Sequence, residues 1–378
     1  MLRKFKVSNF KNFENEFVFD LSETNGYEFN TNCIKDGIVN CALIYGHNGV
    51  GKSNLGLAIF DIIEHLTDKN RNDYIYINYL NACNKSNIAE FYYEFQINNK
   101  IVKYEYKKTN YKTLFFEKFS IDNEEIILFD RFNGNQFSVK LKGAETLNTI
   151  INNNQLSVLK YIKENTVLED CENTQTFIDF FNFVNNMLYF RSLNDVQYLG
   201  LEVGSWTIAN DIIEKGNITD FEQFLNEANI ECKLSVVENL DKKTLAFDFN
   251  GKNIPFHDIA STGTINLAAF YFWFQRIRET KVTFLFIDEF DAFYHHELSA
   301  LIVERLKSAG VQFILTTHNT SIITNDLLRP DCYFLMNKRK IQSLAKCTPK
   351  ELREAHNIEK MYKAGTFNII MEIRKQRN

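Results

Sequence analysis

Hydrophobic residues along this 378-residue chain recur with two different periods. The opening stretch KFKVSNFKNFENEFVFDL alternates apolar and polar positions, which predicts strands. Between about residues 88 and 129 the alternation returns in two pairs of segments: FYYEFQI with KYEYKK across Asn98-Asn99, and LFFEKFSI with IILFDRF across DNEE. Short polar links between alternating segments predict antiparallel hairpins.

The spacing becomes helical between about residues 143 and 230, in LSVLKYI, FIDFFNFVNNML and DFEQFLNEANI. Strand patterns follow in KLSVVENL and TLAFDF. Two apolar runs, VTFLFIDEF and VQFILTTHN, then lie on either side of the helical pattern ELSALIVERLKSAG, and this order predicts a parallel sheet covered on both faces. Thr348, Pro349 and Glu351 have the spacing of helix-capping residues, so we expect a C-terminal helix there.

Together these patterns predict an α/β fold with a parallel core sheet, an antiparallel β subdomain and a helical insertion. We assign residues 1–140 to an N-terminal lobe with the antiparallel strands. Residues 141–230 form the helical insertion, and residues 231–378 form a C-terminal lobe.

Composition predicts a globular, cytoplasmic protein. The longest apolar runs are shorter than the roughly 20 residues that a membrane span needs, and no apolar leader opens the chain, so we expect no membrane contact. The seven cysteines are scattered without a C-x-x-C pair, which argues against zinc and disulfides. A net charge of −5 gives no indication of nucleic-acid binding, although a local basic groove stays compatible with it.

The stretch GHNGVGKSNL matches the phosphate-loop pattern G-x-x-x-x-G-K-[ST]. It lies between the apolar run IVNCALIY and a segment of helical spacing, as the motif requires. In such a loop, backbone N–H groups surround the phosphates, the Lys52 ammonium reaches the β and γ oxygens, and the Ser53 hydroxyl ligates Mg²⁺. We therefore predict a nucleotide and Mg²⁺ here, with Lys52 also serving catalysis.

Two carboxylates and a histidine end apolar strands later in the chain. FLFIDE places Asp288 and Glu289 at the carboxyl end of a buried strand, where ligands of open α/β sheets bind. Asp288 suits Mg²⁺ binding, either directly or through a ligand of the ion, and Glu289 suits the general base that orients and deprotonates the attacking water. TTHN places His318 at the end of the next strand, where an imidazole can hydrogen-bond the γ-phosphate.

A further anion site is predicted in ASTGTINL, just before a helical segment. Ser261, the backbone of Gly263 and Thr264 lie there at a helix N-terminus. The order of phosphate loop, helix cap, acidic strand and histidine resembles an ABC-type ATPase, in which a signature loop closes on the nucleotide held by the partner subunit. The resemblance implies that the nucleotide is ATP and that the protein forms a homodimer around it.

Within that class, the patterns G-x-N-G-x-G-K-S-N, V-S-N-F-K-N-F and DEFDAFYHHEL resemble the SMC/RecF/OLD branch. The ending LREAHNIEKMYKAGTF resembles compact ATPases of bacterial anti-phage defence modules. The resemblance implies that the nucleotide-binding residues are Gly46, Asn48, Gly49, Gly51, Lys52, Ser53, Asn54, Ser261, Thr262 and Gly263.

Our hypothesis is an ATP-driven dimerisation switch that controls a separate effector protein such as a nuclease, in anti-phage defence. About sixty residues follow His318, fewer than a nuclease domain needs, so we expect the effector activity on another chain. Two alternatives stay open. A RecF-like DNA-repair ATPase would show DNA-stimulated hydrolysis, and an ATP-binding scaffold would turn over slowly even with its partner present.

Overall fold

Two seven-stranded sheets organise the described part of the protein in a computed structural model. The structure describes residues 1–69, 73–145, 147, 151, 153–191, 198–200, 208–239, 242–279 and 282–367. The strands are β1 (Leu2–Ser8), β2 (Phe17–Asp20), β3 (Ile34–Lys35), β4 (Ile38–Val39), β5 (Cys41–Tyr45), β6 (Ala89–Ile97), β7 (Lys100–Lys108), β8 (Leu114–Ile121), β9 (Glu124–Asp130), β10 (Gln136–Val139), β11 (Met187–Arg191), β12 (Tyr198–Gly200), β13 (Leu234–Asn239), β14 (Lys242–Phe249), β15 (Lys252–Pro255), β16 (Phe284–Asp288), β17 (Gln312–Thr317), β18 (Tyr333–Met336) and β19 (Ile341–Ser343). The helices are α1 (Lys52–Phe60), α2 (Ile63–Leu66), α3 (Val158–Asn165), α4 (Glu172–Asn185), α5 (Ile208–Glu214), α6 (Ile218–Glu227), α7 (Phe256–Ile259), α8 (Thr262–Glu279), α9 (His296–Ala309) and α10 (Ile358–Lys363).

The core sheet has the strand order β12-β11-β16-β17-β5-β18-β19, and its five central strands are parallel. Strands β5, β16, β17 and β18 are buried along their whole length. Strands covered on both faces need apolar residues at every position, which explains their continuous apolar runs. The predicted parallel sheet is confirmed, and the carboxyl ends of β5, β11, β16 and β17 lie at one edge.

The second sheet is antiparallel, with the order β10-β9-β8-β7-β6-β1-β2. Both predicted hairpins are confirmed. In each hairpin the two linking residues have positive φ: 51° and 63° at Asn98 and Asn99, and 48° and 69° at Asp122 and Asn123. Asparagine and aspartate tolerate this conformation better than most residues do, and it matches the right-handed twist of the flanking strands.

The segment 141–230 was predicted to be helical, and the structure corrects this in part. It contains α3 to α6, but it also contains β11, which pairs with β16 inside the core sheet, and β12 beside it. The helix predicted over FIDFFNFVNNML ends at Asn185, and Met187 already belongs to β11. A short strand that is apolar up to its last residue cannot be distinguished from the end of a helix by periodicity alone, so the pattern gave the wrong prediction here.

The C-terminal helix also begins later than predicted. The hydroxyl of Thr348 accepts a hydrogen bond from the Lys350 N–H at 3.2 Å and so forms a turn instead of a helix cap. Helix α10 starts at Ile358, where the Asn357 side chain accepts from the Lys360 N–H at 2.8 Å. Both residue types cap helices or form turns, so the capping pattern alone did not fix the start.

A buried ion pair fixes the helix that follows the phosphate loop to the antiparallel sheet. Lys108 at the end of β7 lies 2.7 Å from the carboxylate of Asp61, which directly follows α1, and both side chains are fully buried. The hydroxyls of Tyr79 and Tyr106 also donate to Asp61, each at 2.9 Å. Each oxygen of this buried carboxylate therefore has a donor, as burial of a charge requires.

The strands β13 to β15 form a separate antiparallel meander. Next to it, the long helix α8 is held by α5 and α6: Arg276 pairs with Asp211 at 2.7 Å, and the Tyr271 hydroxyl donates to Asp220 at 2.5 Å. Among the described residues, no helix combines the length and apolar character needed to cross a membrane.

Candidate functional site

The phosphate loop, residues 46–53, connects β5 to α1 at the carboxyl edge of the core sheet. Gly51 has a φ of 104°, and a Cβ there would lie 2.2 Å from the Asn12 side chain, so any other residue would be strained and would displace Asn12. At Gly46 a Cβ would lie 2.8 Å from the Met336 carbonyl oxygen. No acceptor in the described part of the chain takes a hydrogen bond from the N–H groups of residues 47–53. A row of open N–H donors at a helix N-terminus is a site for phosphate.

Lys52 lies at the start of α1 with its ammonium close to His318. Its Nζ donates to the Gly46 carbonyl oxygen at 2.8 Å and lies 3.0 Å from Nε2 of His318. Since an ammonium group can only donate, the imidazole accepts and is neutral. Burial, and then the charge of Lys52, lower the pKa of His318, in agreement with a neutral ring. Burial also lowers the pKa of Lys52.

Asp288 and Glu289 follow directly from β16 and lie at the same edge of the sheet. Asp288 is fully buried, and its Oδ1 accepts a hydrogen bond from the Thr316 hydroxyl at 2.7 Å. Glu289 has a φ of 51°, a left-handed conformation that costs about 1–3 kcal/mol for a residue other than glycine; outside turns, such strained residues cluster at active sites. Its Oε1 lies 3.6 Å from Nε2 of His318.

One carboxylate oxygen of each acidic residue is buried without a hydrogen bond within the described part of the chain: Oδ2 of Asp288 and Oε2 of Glu289. Nε of Arg191 lies 3.2 Å from Oδ2 of Asp288, which compensates its charge in part. Mg²⁺ prefers oxygen ligands and in nucleotide sites shares one or two carboxylates with the phosphates. Oδ2 of Asp288, which has no hydrogen bond although Arg191 lies beside it, and the hydroxyl of Ser53, at the start of α1, are ligands of the type that such an ion prefers.

The signature loop, residues 260–264, lies before and at the start of α8. The hydroxyl of Ser261 accepts from the Thr264 N–H at 3.2 Å, so Ser261 caps the helix as predicted. A Cβ at Gly263 would lie 3.4 Å from the carbonyl oxygen of Phe293, in the segment after the acidic residues. Among the described residues, no hydrogen bond or ion pair joins Ser261, Thr262 or Gly263 to the phosphate loop.

The structure thus brings Lys52, Asp288, Glu289 and His318 together with the phosphate loop, whereas the described residues show no hydrogen bond from the signature loop to that loop. Directly after the loop, in α1, Asn54 donates to the Asn12 side chain at 2.6 Å. The remaining predicted nucleotide-binding residues of the loop are Gly46, Asn48, Gly49, Gly51 and Ser53. Their roles in binding stay predictions.

Three residues at the site were not predicted. Asn12, in the segment between β1 and β2, donates to the Val50 carbonyl oxygen at 3.2 Å and accepts from Asn54. It therefore connects this segment to the phosphate loop and to the start of α1. Arg191 ends β11 directly opposite Asp288 in the strand register, and it was missed because this segment was predicted to be helical. Thr316 contacts both acidic residues, a contact that only the pairing of β16 with β17 shows.

Comparison with known protein families gives a match over residues 41–324, to the family described as "AAA domain, putative AbiEii toxin, Type IV TA system". The chain belongs to this family. About three quarters of its length lies within the match, which includes the phosphate loop, both acidic residues and His318. The protein is therefore an ATPase-family domain with an ATP-binding phosphate loop. A search of curated proteins found no match.

Solved structures with similar folds include heads of SMC proteins. The SMC head domain from Thermotoga maritima is 15% identical, with a TM-score of 0.44, over 90% of this chain and 98% of that one. An Smc head bound to the C-terminal winged-helix domain of ScpA is 15% identical, with a TM-score of 0.44, over 91% and 98%. An Smc head with an extended coiled coil, bound to the C-terminal domain of ScpA derived from Pyrococcus furiosus, is 13% identical, with a TM-score of 0.46, over 99% of both chains.

Proposed function

We propose that this protein is a Mg²⁺-dependent ATPase that acts as an ATP-driven dimerisation switch and controls a separate effector protein. The observation that carries this proposal is the convergence of Lys52, Asp288, Glu289 and His318 beside the phosphate loop. In this arrangement a cation, a general base and a γ-phosphate contact lie at one edge of the sheet, as phosphoryl transfer to water requires.

The proposed chemistry follows from these side chains. When ATP binds, Lys52 moves its hydrogen bonds from His318 to the β and γ oxygens, and the neutral His318 contacts the γ-phosphate. Glu289, with one open oxygen, accepts the proton of the attacking water. Ser53 and Asp288 would hold Mg²⁺, which would supply positive charge beside the phosphates.

The dimerisation step is supported by the signature loop, which makes no hydrogen bond or ion pair to the phosphate loop of its own subunit among the described residues. Ser261, Thr262 and Gly263 begin an 18-residue helix, whose N-terminus favours an anion. In the proposed dimer these residues contact the nucleotide held by the phosphate loop of a second copy. ATP then favours the closed dimer because it contacts both subunits only in that state, and hydrolysis releases it.

A partner on another chain is supported by the family description, which names the matched domain a putative toxin of a type IV toxin–antitoxin system, one component of a system with more than one protein. A role in anti-phage defence is part of this proposal. On the antiparallel sheet, Lys107 pairs with Glu90 at 2.7 Å and Arg3 pairs with Glu94 at 2.8 Å. Paired charges of this kind weaken the attraction for a nucleic-acid backbone, which favours a protein partner over DNA.

The decisive experiment replaces the proposed general base. Glu289→Gln should lower ATP turnover by about 10²–10⁴-fold and leave nucleotide binding intact, because the amide cannot take the proton. Phosphate release, titration with a fluorescent ATP analogue and light scattering measure turnover, binding and dimer formation. The matched control is Glu297→Gln, at an exposed position in the first turn of α9. Normal hydrolysis by Glu289→Gln would refute the assignment.

The trapped variant also tests the partner. Glu289→Gln with ATP should be dimeric and should co-purify with a protein encoded beside it, whereas ADP should release that protein. If the dimer instead retains duplex DNA, and DNA stimulates wild-type hydrolysis in a salt-dependent way, the DNA-clamp alternative replaces the effector proposal.

A further inference from the structure

Thr316, the residue before the last in β17, contacts three consecutive residues of the acidic segment. Its hydroxyl donates to Oδ1 of Asp288 at 2.7 Å and accepts from the N–H of Glu289 at 2.8 Å. Its carbonyl oxygen accepts from the N–H of Phe290 at 3.1 Å. The side chain is completely buried. A hydroxyl has one proton to donate, and here it is directed at the carboxylate.

The strand register explains why Thr316 reaches these residues. Strands β16 and β17 are parallel neighbours with Ile287 opposite Leu315, so the next residue of each strand, Asp288 and Thr316, are also level. The following residue, Thr317, makes a different contact, because its hydroxyl donates to Asp291 at 2.7 Å. The two adjacent threonines therefore contact different parts of the acidic segment.

The hydroxyl of Thr316 holds two features of the site at once. It occupies Oδ1 of Asp288, so Oδ2, which lies 3.2 Å from Arg191 Nε, is the oxygen without a hydrogen bond among the described residues. It also binds the N–H of Glu289, the residue in the left-handed conformation with φ 51°. A non-glycine residue keeps this conformation only when its surroundings fix it, and the Thr316 hydroxyl is one of the groups that do so.

We propose that Thr316 is a positioning residue for both acidic side chains: it orients Asp288 for Mg²⁺ and fixes the backbone from which Glu289 reaches the attacking water. The inference rests on the proposed ATPase function and extends it. Thr316 touches neither the nucleotide nor the water in this mechanism, and it acts through Asp288 and Glu289.

The test compares Thr316→Val, which keeps the shape but lacks the hydroxyl, with Thr316→Ser, which keeps the hydroxyl. Loss of a hydrogen bond to a metal-binding side chain typically costs about 10–100-fold in activity or metal affinity. We expect Thr316→Val to lower kcat by about this factor and to raise the Mg²⁺ concentration at half-maximal activity, with ATP affinity in EDTA changed less than about twofold. Thr316→Ser should restore kcat to within about threefold.

A buried threonine far from the site provides the control. The Thr176 hydroxyl in α4 donates to the Glu172 carbonyl oxygen at 2.8 Å, so Thr176→Val measures the general effect of losing a buried hydroxyl. This variant should keep the wild-type kcat and Mg²⁺ dependence. If Thr316→Val also keeps both, or if Thr316→Ser is as impaired as Thr316→Val, the proposal is wrong.

Hydrogen exchange separates this inference from the proposed function. The peptide that contains the Glu289 amide should exchange about tenfold faster in Thr316→Val and at the wild-type rate in Thr316→Ser. If wild-type protein hydrolyses no ATP, the proposed function fails, and unchanged exchange in Thr316→Val would still overturn the positioning role. Should Thr316→Val not fold, Thr316→Ala lacks the same hydroxyl and is tested in the same way.

Discussion

Asp291 provides the sharpest test of the electrostatics around the site. Its side chain is 8% exposed, and Oδ2 accepts a hydrogen bond from the Thr317 hydroxyl at 2.7 Å. Burial raises the pKa of Asp291 to about 6 from an ordinary value of 3.8, against the opposing effect of this hydrogen bond. The carboxylate is therefore ionised at neutral pH in an environment that favours its protonated form.

The sign and size of the effect follow from the two pKa values. Because the pKa of Asp291 is higher in the folded than in the unfolded state, the folded protein is favoured when this carboxyl is protonated. This contribution to stability is complete below pH 3.8 and is lost as the pH rises through about 6. At 1.36 kcal/mol per pKa unit, the ionised Asp291 destabilises the folded protein by about 3 kcal/mol at pH 8. At pH 5 the carboxyl of Asp291 is mostly protonated in the folded protein, and the same calculation gives a destabilisation of about 1.6 kcal/mol.

Asp291→Asn removes this titration and keeps the shape of the side chain. Its amide oxygen can still accept the hydrogen bond from Thr317. The free energy of unfolding of Asp291→Asn, relative to wild type, should therefore rise by about 1.4 kcal/mol between pH 5 and pH 8. Urea denaturation at both pH values measures it, with the exposed Asp258→Asn as control. A difference between Asp291→Asn and wild type that is the same at both pH values would refute the reasoning.

Three further predictions concern the loop, the histidine and the buried ion pair. Lys108→Met should lower the free energy of unfolding by about 3–5 kcal/mol, because it leaves Asp61 buried without its cation. The double variant with Asp61→Asn should lose less free energy of unfolding than the sum of the two single variants. Asn12→Ala loses its contact with Val50 and should raise the KM for ATP about tenfold with kcat nearly unchanged. Since the pKa of His318 is lowered, turnover should be flat from pH 7 to 8 and should fall only below 6.5; an inflection from this residue above 6.5 would contradict the assigned environment.

The sequence predicted the parts of the fold and of the site that depend on local patterns, namely apolar runs, motifs and turn residues. The phosphate loop between β5 and α1, the acidic pair after β16 and His318 after β17 all lie at ends of strands that the apolar runs identify. Parallel strands place such ends at one edge, so the convergence of these residues could be expected without coordinates. The two hairpins were predictable for a similar reason, because Asn98-Asn99 and the polar DNEE link are local turn signals.

Contacts between strands distant in sequence could not be predicted in this way. Arg191 lies opposite Asp288 only because β11 enters the sheet next to β16, and about a hundred residues separate the two strands in the chain. Thr316 reaches Asp288 only because β17 pairs with β16 in one particular register. Periodicity identifies a strand but not its neighbour in the sheet. The residues expected to contact the nucleotide could therefore be predicted from motifs, whereas the residues that position them could be found only once the strand pairing was known. The variants of Thr316 and Asp291 therefore test contacts that no sequence motif predicts: those of Thr316 with Asp288 and Glu289, and that of Asp291 with Thr317.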